Sequence, residues 1–225
     1  MQLPQPDLSR LADDLRSRFA ELRGEVRQAR GEIALHVPVA SLDDAMRVLR
    51  DEDQFAFEQL VDLCGVDFSA FGSGYQGLFV QDAINERSFD SRDETDSQPR
   101  FAVVYHLLSY RHNHRLRVRT TLAAGPIPTC PSVVELWPAA NWFEREAFDL
   151  FGIAFTGHPD LRRLLTDYGF IGHPFRRDFP VYGKVEMRYD PKQGRVIYQP
   201  VSIKPREVVP RIRRKDNFGG AGASG

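Results

Sequence analysis

Two consecutive stretches rich in apolar residues, 101–110 and 115–122, constrain the fold more than any other feature of the chain. In the second stretch, Leu116, Val118 and Leu122 alternate with polar residues, mostly arginines, which is the two-residue period of a strand with one wet face. The first stretch, FAVVYHLLSY, is apolar at almost every position, as expected of a central strand. The turn between them is RHNH. The sequence therefore predicts a hairpin within a sheet.

Helical periodicity appears on both sides of this hairpin. Apolar residues at three- and four-residue steps predict an amphipathic helix over about 8–23 and a second helix that begins at Ser41. A third helix is predicted from Ser132, because Glu135 would complete a capping box with it. The same periodicity resumes over 143–154. These helices each present one apolar stripe to a core.

Further strands are predicted at 32–39, near 59–68 and near 75–81. Residues 85–99 are polar and acidic, which is typical either of a mobile loop or of an ordered loop with a charged surface. Together the elements predict the α+β class: a mixed, largely antiparallel sheet with helices packed on it.

Composition excludes several classes of protein. The chain has 225 residues and a net charge of −1, so it has no overall bias towards nucleic acid. It has no apolar run long enough to span a membrane and no secretory signal at its start, which indicates a cytosolic bacterial protein. Its two cysteines, Cys64 and Cys130, form no CxxC pair and are too few for a cysteine-ligated [4Fe–4S] cluster.

The last fifth of the chain, 181–225, changes character. Prolines interrupt any helix, and apolar residues are scattered. Residues 176–215 hold twelve Lys and Arg against four acids, whereas the rest of the chain is acidic. We therefore predict a long, extended, basic C-terminal arm that becomes ordered on a protein surface. The alternatives are that the arm folds back on its own acidic body, or that it binds nucleic acid, which would usually require denser Lys/Arg runs.

The densest motif lies at 141–180. Within 144–178, six acids stand beside five arginines, and aromatic residues are frequent. Arg145 and Asp149 are four residues apart and could pair along one helix face. Glu146 and Asp149 would repel each other without a nearby cation, and the candidate cations are Arg162, Arg163, Arg176 and Arg177. Arginine and aromatic residues are enriched at interface cores, so this composition indicates a contact network.

Two alternatives remain open for these side chains. Glu144 and Glu146 could act as paired carboxylates, or could bind a hard metal with His158 or His173, as in a stand-alone metal-dependent hydrolase. A second metal hypothesis uses the histidines of the predicted hairpin, His106, His112 and His114. The chain has no GxGxxG or P-loop pattern that would hold a nucleotide phosphate.

The motif EREAFDLFGIAFTGHPDLRRLL, followed by GHPFRRDFPVYG, resembles the 30-kilodalton hydrophilic subunit family of respiratory complex I, which in bacteria is the C subunit of NADH–quinone oxidoreductase. The later segments EMRYD and RVIYQPVSIKPRE are similar to that family as well. The resemblance is strong over about 135–210, and the region 30–122 fits the family in order and size. Related subunits of membrane-bound hydrogenases and plastoquinone oxidoreductases share the pattern and remain an alternative.

The resemblance implies a non-catalytic structural subunit in the peripheral arm of a proton-translocating enzyme of the respiratory chain. That enzyme passes electrons from NADH through FMN and iron–sulfur clusters to quinone, and these cofactors are expected in other subunits. In this chain we expect no cofactor, metal or catalytic residue. The expected partners are the 49-kilodalton-type subunit and the small iron–sulfur subunits. The expected location is the cytoplasmic face of the bacterial inner membrane (or the matrix side in an organelle), reached only through the complex.

The resemblance also identifies residues for the subunit interface, and the change in sequence character along the chain predicts three regions. The regions are a globular domain at 1–155, the motif loop with a short helix at 156–180, and the arm at 181–225. The interface candidates are Glu144, Arg145, Glu146, Asp149, His158, Arg163, Arg176, Arg177 and Asp178.

Overall fold

The computed structural model describes residues 7–69, 99–123, 125, 127–180, 183 and 185–203. The chain divides into two compact units, Met1–Phe179 and Pro180–Gly225. The described residues of the first unit form, in order, α1 (Leu8–Phe19), β1 (Glu25–Ala29), β2 (Glu32–His36), a 3₁₀ turn (Val39–Ser41), α2 (Leu42–Asp51), β3 (Gln59–Asp67), β4 (Phe101–Ser109), β5 (His114–Thr121), β6 (Thr129–Pro131), α3 (Ala140–Phe151) and β7 (Ala154–Thr156). Those of the second unit form β8 (Val185–Asp190) and β9 (Arg195–Pro200). The partition into 1–155, 156–180 and 181–225 stays a prediction.

A five-stranded sheet, in the order β1-β2-β5-β4-β3, forms the centre of the first unit. Its neighbouring strands run antiparallel except for β2 and β5, which are parallel. The predicted hairpin is β4–β5, in register from Ala102 opposite Thr121 to Ser109 opposite His114. His114 belongs to β5 and not to the turn, where Asn113 has a φ of 52°. The predicted α+β class with a mixed, largely antiparallel sheet is confirmed.

Buried side chains from the helices and the sheet form one hydrophobic core. The predicted helical stripes are buried, with Leu11, Leu15 and Phe19 on α1 and Leu42, Ala45, Met46 and Leu49 on α2. Alternate residues of the central hairpin belong to the same core, namely Val103, Tyr105, Leu107, Leu116 and Val118. Among the helices described, none has the length and apolar character that crossing a membrane requires.

The chain between α1 and α2 differs from its prediction. Helix α1 ends at Phe19 and not at residue 23, because Arg23 adopts a φ of 56° and the Gly24 N–H bonds back to the Phe19 carbonyl at 2.8 Å. The following strand β1 was not predicted, since its residues, EVRQA, are mostly polar and largely exposed. Strand β2 ends at His36, three residues before the predicted end.

Two predicted helix starts also differ. Ser41 does occupy the N-cap position of α2, but its side chain makes no cap hydrogen bond. Ser132 begins no helix, and α3 starts only at Ala140. The Ser132 hydroxyl is bonded to Glu144 at 2.6 Å, so the predicted capping box with Glu135 is wrong. The Ser132 hydroxyl is thus bonded to Glu144, twelve residues away, and not to a group in its own turn.

Strand β3, predicted near 59–68, is confirmed at Gln59–Asp67. The strand predicted at 75–81, nearly all of the polar stretch at 85–99 and the glycine-rich end of the chain lie outside the described residues.

The second unit contains a two-stranded antiparallel ribbon, β8–β9, which the sequence did not predict. Because alternate residues of a strand share a face, one ribbon face combines alternate positions of both strands. The residues of this apolar ribbon face are Val185, Met187, Tyr189, Val196, Tyr198 and Pro200. The first five of these side chains are each 56–60% exposed.

Candidate subunit interface

Helix α3 ends at a glycine that allows the following chain to return to the helix. Gly152 has a left-handed φ of 73°, and its N–H donates to the Phe148 carbonyl at 2.8 Å. A Cβ at this position would overlap Arg176 Nη2 and would lie 2.6 Å from His173 Nε2. Glycine is therefore required at this position for two reasons: the backbone conformation is left-handed, and the Arg176 and His173 side chains lie too close for a Cβ.

Asp149, near the end of α3, fixes the loop that follows. Its carboxylate is fully buried and accepts five hydrogen bonds. The backbone N–H groups of Leu164, Leu165 and Thr166 donate to Oδ2 at 2.8–3.0 Å. Arg163 Nη1 and the Thr166 hydroxyl donate to Oδ1 at 2.8 and 2.5 Å. Burial alone would raise the pKa of Asp149, but these hydrogen bonds, led by those from Thr166, hold it well below its usual range.

Arg163 and His173 extend this network along the loop. Arg163 Nη2 donates to the Gly172 carbonyl at 2.9 Å. His173 Nδ1 lies 2.8 Å from the Asp149 carbonyl and donates to it. Burial lowers the pKa of His173, which favours a neutral ring with its proton on Nδ1. The two side chains fix residues 172–173 against the end of α3.

Two arginines in this region donate to backbone carbonyls. Arg145 Nε and Nη2 each lie 3.2 Å from a carbonyl oxygen, that of Arg162 and that of Arg163 respectively. Arg176 Nε donates to the Phe151 carbonyl at 2.6 Å, and burial lowers the pKa of this guanidinium. The pairing of Arg145 with Asp149 that their spacing suggested is replaced by these contacts, because the salt bridge of Asp149 is with Arg163.

A second buried carboxylate, Asp67 at the end of β3, receives the end of the motif. Arg100 donates to both of its oxygens at 2.8 and 3.1 Å, and the Arg177 N–H donates to Oδ2 at 2.9 Å. Burial alone would raise the pKa of Asp67, but the bonds from Arg100, Arg177 and Ser69 hold it well below its usual range. Asp178, 3.0 Å from Arg100, is mostly exposed.

The remaining motif candidates are held separately. Glu144 is fully buried, whereas Glu146 is half-buried. His158 Nδ1 accepts from the Asp160 N–H at 3.0 Å, so Nε2 carries the proton and faces the Asn141 carbonyl at 3.3 Å. Both nitrogens of His158 are thus engaged in backbone contacts that hold the turn after β7.

The hairpin histidines make contacts of a different kind. The rings of His112 and His114 stack with centroids 5.3 Å apart, and His112 Nε2 lies 2.7 Å from the Asp53 carbonyl. Within the described ranges, no group of three or more His, Cys, Asp or Glu side chains could hold a metal ion.

The loop that Asp149 fixes displays apolar side chains to solvent. Tyr168 is 99% exposed and Ile171 is 90% exposed. Leu165 and Phe175 are also exposed, and we call these four residues the apolar platform. A backbone this well bonded, with large apolar side chains turned outward, is typical of a surface that another protein covers.

Sequence reasoning missed several residues of this region. Ile171 was overlooked because the motif was interpreted through its charged residues and aromatic rings. The pairing of Asp67 with Arg100 joins strands separated by more than thirty residues, so no local spacing could reveal it. The sequence offers one signal for this pair: opposite charges stand at the end of β3 and just before β4, and these two strands pair in the sheet.

Comparison with known proteins gives the same family as the motif. The family model described as "Respiratory-chain NADH dehydrogenase, 30 Kd subunit" matches residues 35–185. The protein of Ralstonia nicotianae named as the C subunit of NADH-quinone oxidoreductase is 57% identical over 86% of both chains. Proteins of the same name from Azoarcus sp. and Dechloromonas aromatica are 50% and 52% identical, over 96% and 94% of this chain and 97% and 96% of theirs.

A solved structure agrees on the fold. A chain in the structure of the membrane-bound sulfane sulfur reductase, an archaeal respiratory membrane complex, aligns with a TM-score of 0.51 and 19% identity. The alignment covers 76% of this chain and 85% of that chain. The family match spans more than half of the sequence, and the relatives reach 50–57% identity over most of their length. The chain therefore belongs to the 30-kilodalton subunit family of the respiratory-chain NADH dehydrogenase.

Proposed function

We propose that this chain is a structural subunit of NADH–quinone oxidoreductase that contributes binding surfaces and no catalytic group. The apolar platform carries the proposal, because Asp149 and Arg163 hold its backbone while Tyr168 and Ile171 point into solvent. Burying such side chains against a partner costs little conformational entropy, since the loop is already ordered.

The interface candidates divide into two roles. Glu144, Arg145 and Asp149 are buried within the first unit, so we infer that they support the binding surface from behind. Arg177 and Asp178 lie where the motif meets the surface beside Arg100 and are better placed for direct contact. Contact of each candidate with a particular neighbour stays a prediction.

The ribbon β8–β9 supplies a second binding surface. An isolated two-stranded hairpin is at best marginally stable in water, and five large side chains of this apolar ribbon face are each 56–60% exposed. The basic charge of the surrounding sequence favours a partner with an acidic rim. We propose that the partners are the 49-kilodalton-type subunit and the small iron–sulfur subunits.

Redox cofactors are proposed to lie in those partners. Cys130 is fully buried, and burial raises the pKa of its thiol to about 12. Burial also raises the pKa of Cys64, with Asp62 and Glu146 adding to the effect. Neither cysteine is thereby prepared to act as a thiolate ligand. The chain would reach the cytoplasmic face of the membrane only through its partners.

The double variant Tyr168→Ser and Ile171→Ser tests the proposal in cells that carry the whole complex. We expect loss of most of the assembled enzyme and of membrane NADH–quinone activity, because both platform anchors lose their apolar surface. Native gels of the membrane fraction, stained for NADH oxidation, measure assembly. The purified variant should unfold in urea at nearly the wild-type midpoint, since both side chains are exposed.

Ile127→Ser is the matched control, because Ile127 is also exposed but lies outside the platform, before β6. We expect normal assembly with this variant. Full assembly of the double platform variant would contradict the proposed binding surface, and equal losses in both variants would indicate a general defect in solubility.

A further inference from the structure

Glu144 is a buried carboxyl for which the described residues provide no counter-charge. Its side chain on α3 is fully buried, Oε1 accepts from the Val133 N–H at 2.7 Å, and Oε2 lies 2.6 Å from the Ser132 hydroxyl. In the described part of the chain it has no ion-pair partner, and its neighbour Arg145 points to backbone carbonyls. A carboxylate needs several donors or a cation to stay charged away from water, and Glu144 has two neutral donors.

Asp149 provides an internal comparison on the same helix. It is equally buried, but it receives five hydrogen bonds, one of them from the Arg163 guanidinium. The two carboxyls thus share burial and differ in their donors. Accordingly the pKa of Asp149 falls, whereas burial raises that of Glu144 to about 7 against the lowering effect of Ser132 and Val133.

The groups facing Glu144 from the sheet also favour a neutral carboxyl. The Tyr105 hydroxyl on β4 and the Cys130 thiol on β6 are both buried and lie 3.4 Å apart. Burial raises the pKa of both groups, and the negative charge of Glu144 adds to the rise in each. Neither Tyr105 nor Cys130 can carry a positive charge. The negative charge of Glu144 is therefore removed by binding a proton and not by pairing with a cation.

We propose that Glu144 is a reversible proton-binding site at the junction of β6 and α3. When the proton binds to Oε2, the carboxyl donates to Ser132 Oγ and the Ser132 hydroxyl rotates to accept. The Val133 N–H continues to donate to Oε1. One hydrogen bond reverses its direction and no bond is lost, so the junction keeps its geometry in both states.

The raised pKa of Glu144 determines how the stability of the folded chain depends on pH. An acid whose pKa is raised in the folded state binds more protons there than in the unfolded chain. Glu144 therefore contributes stability at low pH, and this contribution is lost as pH rises from about 4.5 through about 7. This side chain makes the protein less stable above neutrality, in contrast to a salt-bridged carboxylate.

Glu144→Gln tests the proposal, since the amide mimics the protonated carboxyl. The folding equilibrium constant is measured by urea denaturation of the full-length chain at about pH 5 and about pH 8. Wild type should lose stability over this interval relative to Glu144→Gln by roughly 50- to 100-fold in that constant. Glu146→Gln, two residues away and half-buried, is the matched control and should follow wild type.

Carbon-13 NMR of the wild-type carboxyls provides a test that depends on no variant's folding. The Glu144 signal, assigned by its loss in Glu144→Gln or in a selectively labelled sample, should titrate with a midpoint near neutrality. In Ser132→Ala the midpoint should rise further, because the carboxylate loses a donor. A midpoint below about pH 5, or identical pH profiles for wild type and Glu144→Gln, would overturn the proposal.

Discussion

Asp149→Ala should lower the free energy of unfolding by about 3–5 kcal/mol, the range expected when a buried, charge-paired carboxylate is removed. The variant removes the charged partner of the Arg163 guanidinium and the acceptor of three backbone N–H groups. Urea denaturation of the purified chain measures this loss. Hydrogen exchange at Leu164, Leu165 and Thr166 should accelerate more than exchange in β4 and β5, because these amides bond directly to the deleted side chain.

Asp160→Ala is the matched control. Asp160 belongs to the same loop region and pairs with Arg162, but both side chains are more than half exposed. The same substitution there should hardly change the unfolding midpoint, because exposed ion pairs contribute little. Equal midpoints for Asp149→Ala and wild type would refute the structural role given to Asp149.

Gly152→Ala is expected to have the second-largest effect, about 2–4 kcal/mol of lost stability. Alanine is strained at a φ of 73°, and its Cβ would collide with Arg176 and His173. Either α3 shortens or residues 173–176 move away from it. Thermal and urea unfolding measure the loss, and the His173 ring protons, followed by NMR, report the displacement.

Gly157→Ala separates the two contributions. Gly157 has a similar φ of 85°, but a Cβ there would meet nothing within 4 Å. Gly157→Ala should therefore lower the free energy of unfolding only by the backbone strain of alanine at a positive φ, about 1 kcal/mol. If both variants lose the same stability, the packing of residues 173–176 against Gly152 contributes nothing.

A strand of the sheet could be predicted where its own residues show a clear pattern of apolar and polar positions. A continuous apolar run located β4, and alternation located β5, each within about one residue of the observed ends. Strand β1 escaped prediction because its polar residues carry no such contrast. The helical periodicity predicted over 143–154 corresponds to most of α3, which begins at Ala140. The helix predicted from Ser132 is wrong, because the Ser132 hydroxyl is bonded to Glu144 instead of capping a helix.

The site shows the same division between local and distant contacts. Resemblance identified the motif, and spacing suggested Arg145, four residues away, as a partner for Asp149. Four arginines later in the motif, Arg163 among them, were further candidates that the sequence could not rank. The structure pairs Asp149 with Arg163, fourteen residues on, through a turn whose path no periodicity specifies. The aromatic content of the motif indicated a contact surface, which includes Tyr168, but the exposure of Ile171 could not be predicted, since aliphatic residues are ordinarily assigned to the core.

The exposed side chains of the apolar ribbon face have a consequence for the supply of this protein in the cell. Copies made in excess of their partners would present five large apolar side chains that are each more than half exposed. Such orphan copies would be captured by chaperones or degraded, so the amount of this chain that persists would follow the amount of its partners. Stoichiometry would then be set by degradation as well as by synthesis.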